Sequence, residues 1–397
     1  MVEWKEYRIK DLGEVVTGNT PPTSNREYYG TEYKFIKPTD MVEGQRFVST
    51  TEEYYSELAY QKYKKCLLPP KTPCVVTIGS LGKKMCLTDT ECFTNQAVNA
   101  VIPNKENDGE FLYYAFKASV LAYVKQLDSG TTSGRENVSK SSFSKIKVRV
   151  PPLPTQQKIA SILSAYDNLI QNYKKQIEAL QTAASELYKE WFVRFRFPGY
   201  KNSRFENGIP EGWKVEKLFD VAKIIYGYPF NSDEFCDDSS LNPVVRIRDI
   251  LDNYTNTYTS ETCDEKYWIN PNEMLIGMDG IFHMSLWTGK RALQNQRTVR
   301  VTSKVKNLSN YYLYFSLYPQ IKALEQMIVG TTVAHLGDKH LKKITILIPE
   351  DKILKMSFER LEPIMNRIYS LQQQITNLTQ QRDLLLPRLM SDKLEIK

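Results

Sequence analysis

Histidine and closely paired cysteine are scarce in this chain. Among 397 residues there are three histidines, His283, His335 and His340, and six cysteines at 66, 74, 86, 92, 236 and 263. No two cysteines form a CxxC pair, so the spacing of a structural zinc site is missing. No apolar run approaches the roughly 18 residues of a membrane span, so no membrane is expected as a partner. The opening MVEWKEYRIKDLGEVV lacks the apolar centre of a secretory signal. Reduced thiols and a cytoplasmic location are therefore expected.

Catalytic signatures are missing too. An amino-methyltransferase needs an Asn/Asp-Pro-Pro-aromatic run to hold its target amino group, and the chain offers only Asn242-Pro243-Val244 and Asn270-Pro271-Asn272. The nearest approach to a phosphate-cradling Walker loop is TIGSLGKK at 77–84, with Thr77 in place of the first glycine and Lys84 in place of the hydroxyl. A metal nuclease needs clustered carboxylates, and Asp338 followed by Glu350 and Lys352 is a poor match. No catalytic, cofactor or metal site is expected on this chain.

What the chain does contain is an internal duplication. WKEYRIKDLGEVVTG from Trp4 meets WKVEKLFDVAKIIYG from Trp213, an offset of 209. At the same offset FIKPTDM (35–41) meets VVRIRDI (244–250), which pairs Lys37 with Arg246. TNQAV (94–98) meets QNQRT (294–298) at 200, as Gly130-Thr131-Thr132 meets Gly330-Thr331-Thr332. KIKVRVP (145–151) meets KITILIP (343–349) at 198. The matches never break order, so the chain divides into 1–152, a helical segment 153–198, a second copy 199–350 and a second helical segment 351–397. Each globular copy mixes short β-branched runs, such as 73–78 and 344–348, with helical stretches at 110–126 and 310–327.

Beyond Pro154, apolar residues recur at spacings of four and three: Ile159, Leu163, Tyr166, Ile170, Tyr173, Ile177, Leu180, Ala184, Leu187 and Trp191. Adding 198 gives the second seam, which is apolar except at Ser357 and Arg382. Pro363 and Pro387 are expected to bound the regular part of that second helix. A helix over 159–191 would be roughly 50 Å long, and its stripe needs a partner. Pairing of the two helices of one chain about a pseudo-two-fold axis makes them antiparallel; an intermolecular coiled coil is the alternative. The fold class expected is α+β: two repeated α/β domains separated by a long antiparallel helix pair.

The net charge is +7 and the pI about 8.8, which favours a polyanionic partner. Two windows in overlapping places of the repeats hold no acid. Residues 58–88 contain Lys62, Lys64, Lys65, Lys71, Lys83 and Lys84; residues 280–324 contain Lys290, Arg291, Arg297, Arg300, Lys304, Lys306 and Lys322. Such windows are often merely solvated faces, but two in register point to phosphate binding. The loops SGTTSGRENVSK (129–140) and VGTTVAHLGDKH (329–340) add Thr131, Thr132, Arg135, Lys140, Thr331, Thr332, His335 and Lys339, with hydroxyls suited to phosphate and an arginine suited to guanine. Asn95-Gln96 and Asn295-Gln296 could read adenine edges or form buried structural amides. Lys37, Arg246 and Arg248 complete the set of candidate contact residues.

These features, in this order, resemble the specificity subunit of Type I restriction–modification systems. The carriers are the two copies, VPPLPTQQKIASIL (150–163), ELYKEWFVRFRFPGY (186–200), GIPEGWKVEKL (208–218) and LLLPRLMSDKL (384–394); at 349–354 the chain has PEDKIL in place of the usual proline-glutamine opening. The resemblance implies two target recognition domains, each reading one half of a bipartite, asymmetric site in double-stranded DNA, with the helices fixing the gap. It implies methyltransferase subunits, usually two, that bring S-adenosylmethionine, and restriction subunits that bring ATP- and Mg-dependent translocation and cleavage. Two competing readings are a coiled-coil scaffold that never touches DNA and a diverged nuclease or methyltransferase.

Overall fold

The computed structural model describes residues 3–127, 137–328 and 335–391. It divides into two compact units, one formed by Met1–Ile170 with Leu378–Lys397 and the other by Gln171–Asn377. Each unit holds one globular copy together with part of each long helix.

The duplication is reproduced in the main sheet of each copy. In the first unit an antiparallel four-stranded sheet runs in the order Gly13–Thr17, Val98–Pro103, Pro73–Val76, Met85–Leu87. In the second the order is Ala222–Tyr226, Thr298–Ser303, Met274–Gly277, Met284–Leu286. A second sheet follows in each, three-stranded in the first unit and four-stranded in the second, built on a parallel pair: Lys34, Phe35 and Ile36 lie against Cys92, Phe93 and Thr94, as Val244 and Val245 lie against Leu293 and Gln294. A two-stranded pair joins the start and end of each copy, Lys5–Arg8 with Lys147–Val150 and Lys214–Lys217 with Thr345–Ile348. The central strands carry runs such as PCVV and MLIG that are buried on both faces, because a sheet covered on both sides has no use for alternation. Asp40 Oδ2 accepts the Lys37 N–H at 2.7 Å, and Asp249 Oδ2 accepts the Arg246 N–H at 2.9 Å, so the matched Lys/Arg-x-x-Asp motif caps the same turn twice.

The first long helix spans Leu153–Tyr188 and the second Asp351–Leu389. The helix thus starts within the PEDKIL stretch, the Leu354 N–H donating to the Glu350 carbonyl at 2.9 Å. Pro363 and Pro387 do not bound it, contrary to expectation; both lie inside a continuous helix. A proline removes one ladder bond, and burial on either side of Pro363, by Leu361 and Met365, holds the helix through it. The helices run antiparallel: Asp167 meets Arg382, and Gln176 meets Arg367. The two non-apolar seam positions are accounted for. The Ser357 hydroxyl donates to the Leu354 carbonyl at 2.7 Å, and Arg382 is paired with Asp167 at 2.5 Å.

Candidate nucleic-acid interface

In each unit a central strand of the four-stranded sheet leaves the sheet through a glycine turn and comes back as the edge strand. The turn lies at 77–84 in the first unit and 278–283 in the second. Gly79 (φ +90°) and Gly280 (φ +67°) stand at the tips in left-handed backbone with open space around them. Two further segments pack beside each turn. In the first unit the Thr77 N–H donates to the Ala97 carbonyl and the Val138 N–H to the Thr77 carbonyl, both at 2.8 Å. In the second the Met278 N–H donates to the Arg297 carbonyl at 2.9 Å and the Leu336 N–H to the Met278 carbonyl at 2.7 Å. Isolated bridges repeat the match, Ile78 with Asn137 and Asp279 with His335. Thus Ile78, Ala97 and Asn137 occupy the places of Asp279, Arg297 and His335. The scaffold is common to both units and the side chains are not.

This geometry gathers some of the sequence-predicted residues and separates others. Lys83 in the first turn is exposed, and Lys140 is exposed at the start of the short helix Lys140–Ser144. Asn95 folds its Oδ1 back onto the Ala97 N–H at 3.1 Å, while Gln96 is exposed and accepts a hydrogen bond from the Thr20 hydroxyl. In the second unit Asn295 Oδ1 is buried without a partner, Gln296 is exposed, and Arg297 and His335 both meet Asp279. Lys339 is exposed beside His340. Burial, then the charges of Lys339 and Lys343, hold His340 below the usual imidazole range; its Nδ1 accepts the Gly337 N–H at 3.1 Å. Thr131, Thr132, Arg135, Thr331 and Thr332 lie outside the described residues.

Other candidates are engaged within the protein. Lys37 Nζ is held by Glu52 at 2.9 Å and Glu53 at 3.1 Å, and Lys84 Nζ donates to the Pro38 carbonyl at 2.8 Å. Arg246 bonds the Thr257 hydroxyl and sits over the Phe235 ring. Arg248 is exposed, with its Nε 3.8 Å from Asp249. Arg291 pairs with Glu265 and stacks over Trp268 at 4.5 Å; Lys290 is exposed. Arg300, in the acid-free window, is withdrawn from the surface: it is 4% exposed and pairs with Glu273 at 2.6 Å. An acid-free stretch of sequence therefore does not make a one-signed face, because carboxylates reach it from elsewhere in the chain.

Two residues of the second turn escaped sequence reasoning. Asp279 lies one position before the acid-free window and so falls outside the basic run. Ile281, 58% exposed at the tip, corresponds to exposed Ser80. An Asp-Gly pair before an exposed apolar residue was the available signal. Among the described residues no group of three His, Cys, Asp or Glu side chains is placed to hold a metal ion.

The family described as "Type I restriction modification DNA specificity domain" matches residues 1–182 and again 210–380. The chain belongs to that family. It carries two copies of the domain, and it is a DNA-specificity subunit of the Type I restriction–modification kind. The Type I restriction enzyme MjaIX specificity subunit of Methanocaldococcus jannaschii is 29% identical, covering 100% of this chain and 94% of that one. The MjaVIII specificity subunit of the same organism is 26% identical over the same shares. Among solved structures, the Type-I restriction-modification system S subunit from M. genitalium superposes with a TM-score of 0.65 at 15% identity, over 98% of this chain and 97% of that one, a likeness of fold. The family works in a complex with other restriction–modification subunits and DNA. No helix among the described residues is long and apolar enough to cross a membrane.

Proposed function

We propose that the chain is the non-catalytic targeting subunit of its complex, acting in the cytoplasm, and that its two copies read the two halves of a bipartite, asymmetric duplex site. The observation that carries this is the repeated three-segment cluster. The same backbone bonds place Ile78, Ala97 and Asn137 in one copy and Asp279, Arg297 and His335 in the other. One scaffold with two side-chain sets suits two different base sequences, since base edges are told apart by donor and acceptor placement. Exposed Lys83 and Lys140 in the first unit, and Lys290 and Lys339 in the second, supply phosphate contacts that fix register. Exposed Gln96 and Gln296 reach toward base edges. Two methyltransferase subunits bring S-adenosylmethionine, and restriction subunits, where present, bring ATP and Mg.

The test is exchange of one reader. Residues 1–152 are replaced by the corresponding segment of another family member, the complex is reconstituted with its methyltransferase subunits, and the methylated motif is sequenced. One half of the motif should change and the other persist. A change in both halves, or methyl transfer by the purified chain alone, would overturn the assignment.

A further inference from the structure

The two clusters differ in charge, and the second contains an arrangement that the first lacks. Arg297 sits in the turn between the strands Ala292–Gln294 and Thr298–Ser303 with left-handed backbone, φ +66°. A non-glycine residue tolerates that conformation only where its surroundings fix it, and such positions gather at functional sites. The Arg297 carbonyl is fixed by the Met278 N–H at 2.9 Å. Its guanidinium is not buried: the side chain is 61% exposed, with Nη1 3.3 Å from Asp279 Oδ2. Asp279 is the more sheltered of the two at 26%, and its Oδ1 lies 2.6 Å from His335 Nδ1. One carboxylate thus ties together the three segments of the cluster and holds the arginine from one side.

The carboxylate decides what the free edge of that arginine can meet. A phosphate approaching Arg297 would also approach the Asp279 carboxylate 3.3 Å away, and the like charges repel. The O6 and N7 atoms of guanine are acceptors without formal charge, and they match two parallel N–H groups of a guanidinium. An arginine braced by a carboxylate has also lost side-chain freedom before the ligand arrives, which lowers the cost of binding. In the first unit the same position is Ala97, beside Ile78 and Asn137, so no counterpart of this group stands there.

We infer that Arg297 is the guanine-reading residue of the second copy, and that Asp279, fixed in turn by His335, is its positioning residue. This rests on the reading of the chain as a duplex-DNA reader and names the base at one position of one half-site.

The experiment uses the full chain reconstituted with its methyltransferase subunits and a pool of randomised DNA duplexes. Motifs are selected by the wild type and by Arg297→Ala, Arg297→Lys and Asp279→Asn. The wild type should select a guanine in one half of its motif. Arg297→Ala should lose that preference by roughly 5- to 150-fold at that position, with the other half retained. Arg297→Lys should keep affinity for random duplex but relax the preference, because an ammonium does not reproduce the fixed fork of a guanidinium. Asp279→Asn should relax the same position while affinity for random duplex is held or raised, since a negative charge has gone. A merely structural role for Asp279 would instead weaken all duplexes together. The inference is overturned if Arg297→Ala selects the wild-type motif. It is overturned equally if that variant weakens every sequence alike and lowers the salt slope by about one, the mark of a phosphate contact. A wild-type complex that selects no motif at all would sink the DNA-reader assignment itself, a separate outcome.

Discussion

Arg382 occupies a seam position where an aliphatic residue would be ordinary, and its replacement is the sharpest test of how the helix pair is held. Its Nη1 lies 2.5 Å from Asp167 Oδ1, each side chain only 9% exposed. The Tyr114 hydroxyl donates to the other Asp167 oxygen at 2.5 Å, and Arg382 Nε donates to Asp383 at 2.9 Å. Breaking a buried pair from one side costs about 3–5 kcal/mol, since it leaves a charge without its partner. Arg382→Leu should fall at the lower end of that range, because Asp167 then keeps the Tyr114 hydroxyl and the nearby charge of Lys117. Asp167→Asn should cost about 3 kcal/mol, because Arg382 keeps Asp383, whose side chain is 53% exposed. For a unit of this size about 3 kcal/mol lowers the melting temperature by roughly 6–12 °C. The double variant Asp167→Leu/Arg382→Leu removes both charges and should be close to the wild type, as paired burial often gains little over apolar packing. The assay is thermal and urea unfolding of all four proteins, read as a double-mutant cycle. If the two single losses simply add in the double variant, the residues do not act as a pair and the reasoning fails. The pair also selects register: sliding one helix by a heptad would part Arg382 from Asp167 and leave the Asp167 carboxylate buried without its arginine.

Two more expectations can be checked. Burial, only partly offset by the Thr255 hydroxyl and the Arg248 charge, pushes the Asp249 carboxyl up to about 6 from an ordinary 3.8. An acid whose folded value is raised binds protons more readily when folded. Its contribution therefore favours the second unit below about pH 4 and is lost as pH rises through about 6. Asp249→Asn should flatten that part of the stability–pH curve, and an unaltered curve in urea titrations would refute the shift. Separately, four residues inserted after Gln176 lengthen the first long helix by about 6 Å. With a duplex rise of about 3.4 Å per base pair, the gap in the methylated motif should grow by one or two base pairs while both half-sites persist. An active complex with an unaltered gap would show that the helices do not set spacing.

The sequence alone determined the duplication, the two long helices and the pairing of matched positions. Order-preserving repeats and a heptad stripe are local signals, and burial follows from them: the second seam is apolar at Leu361, Ile368, Leu371 and Ile375, and all four are buried. Helix continuity through Pro363 was not legible, because tertiary packing outweighs one lost ladder bond. Charge was the least legible property. Lys37, Arg246 and Arg300 read as a basic surface until the fold laid Glu52, Glu53, Thr257 and Glu273 against them from neighbouring strands and turns. The match of Arg297 with Ala97 was already in the repeat, whereas that of Asp279 with Ile78 and of His335 with Asn137 was set by backbone bridges between segments far apart in the chain. Periodicity is written residue after residue, whereas a side chain's partner is fixed by which loops the sheets bring to one edge.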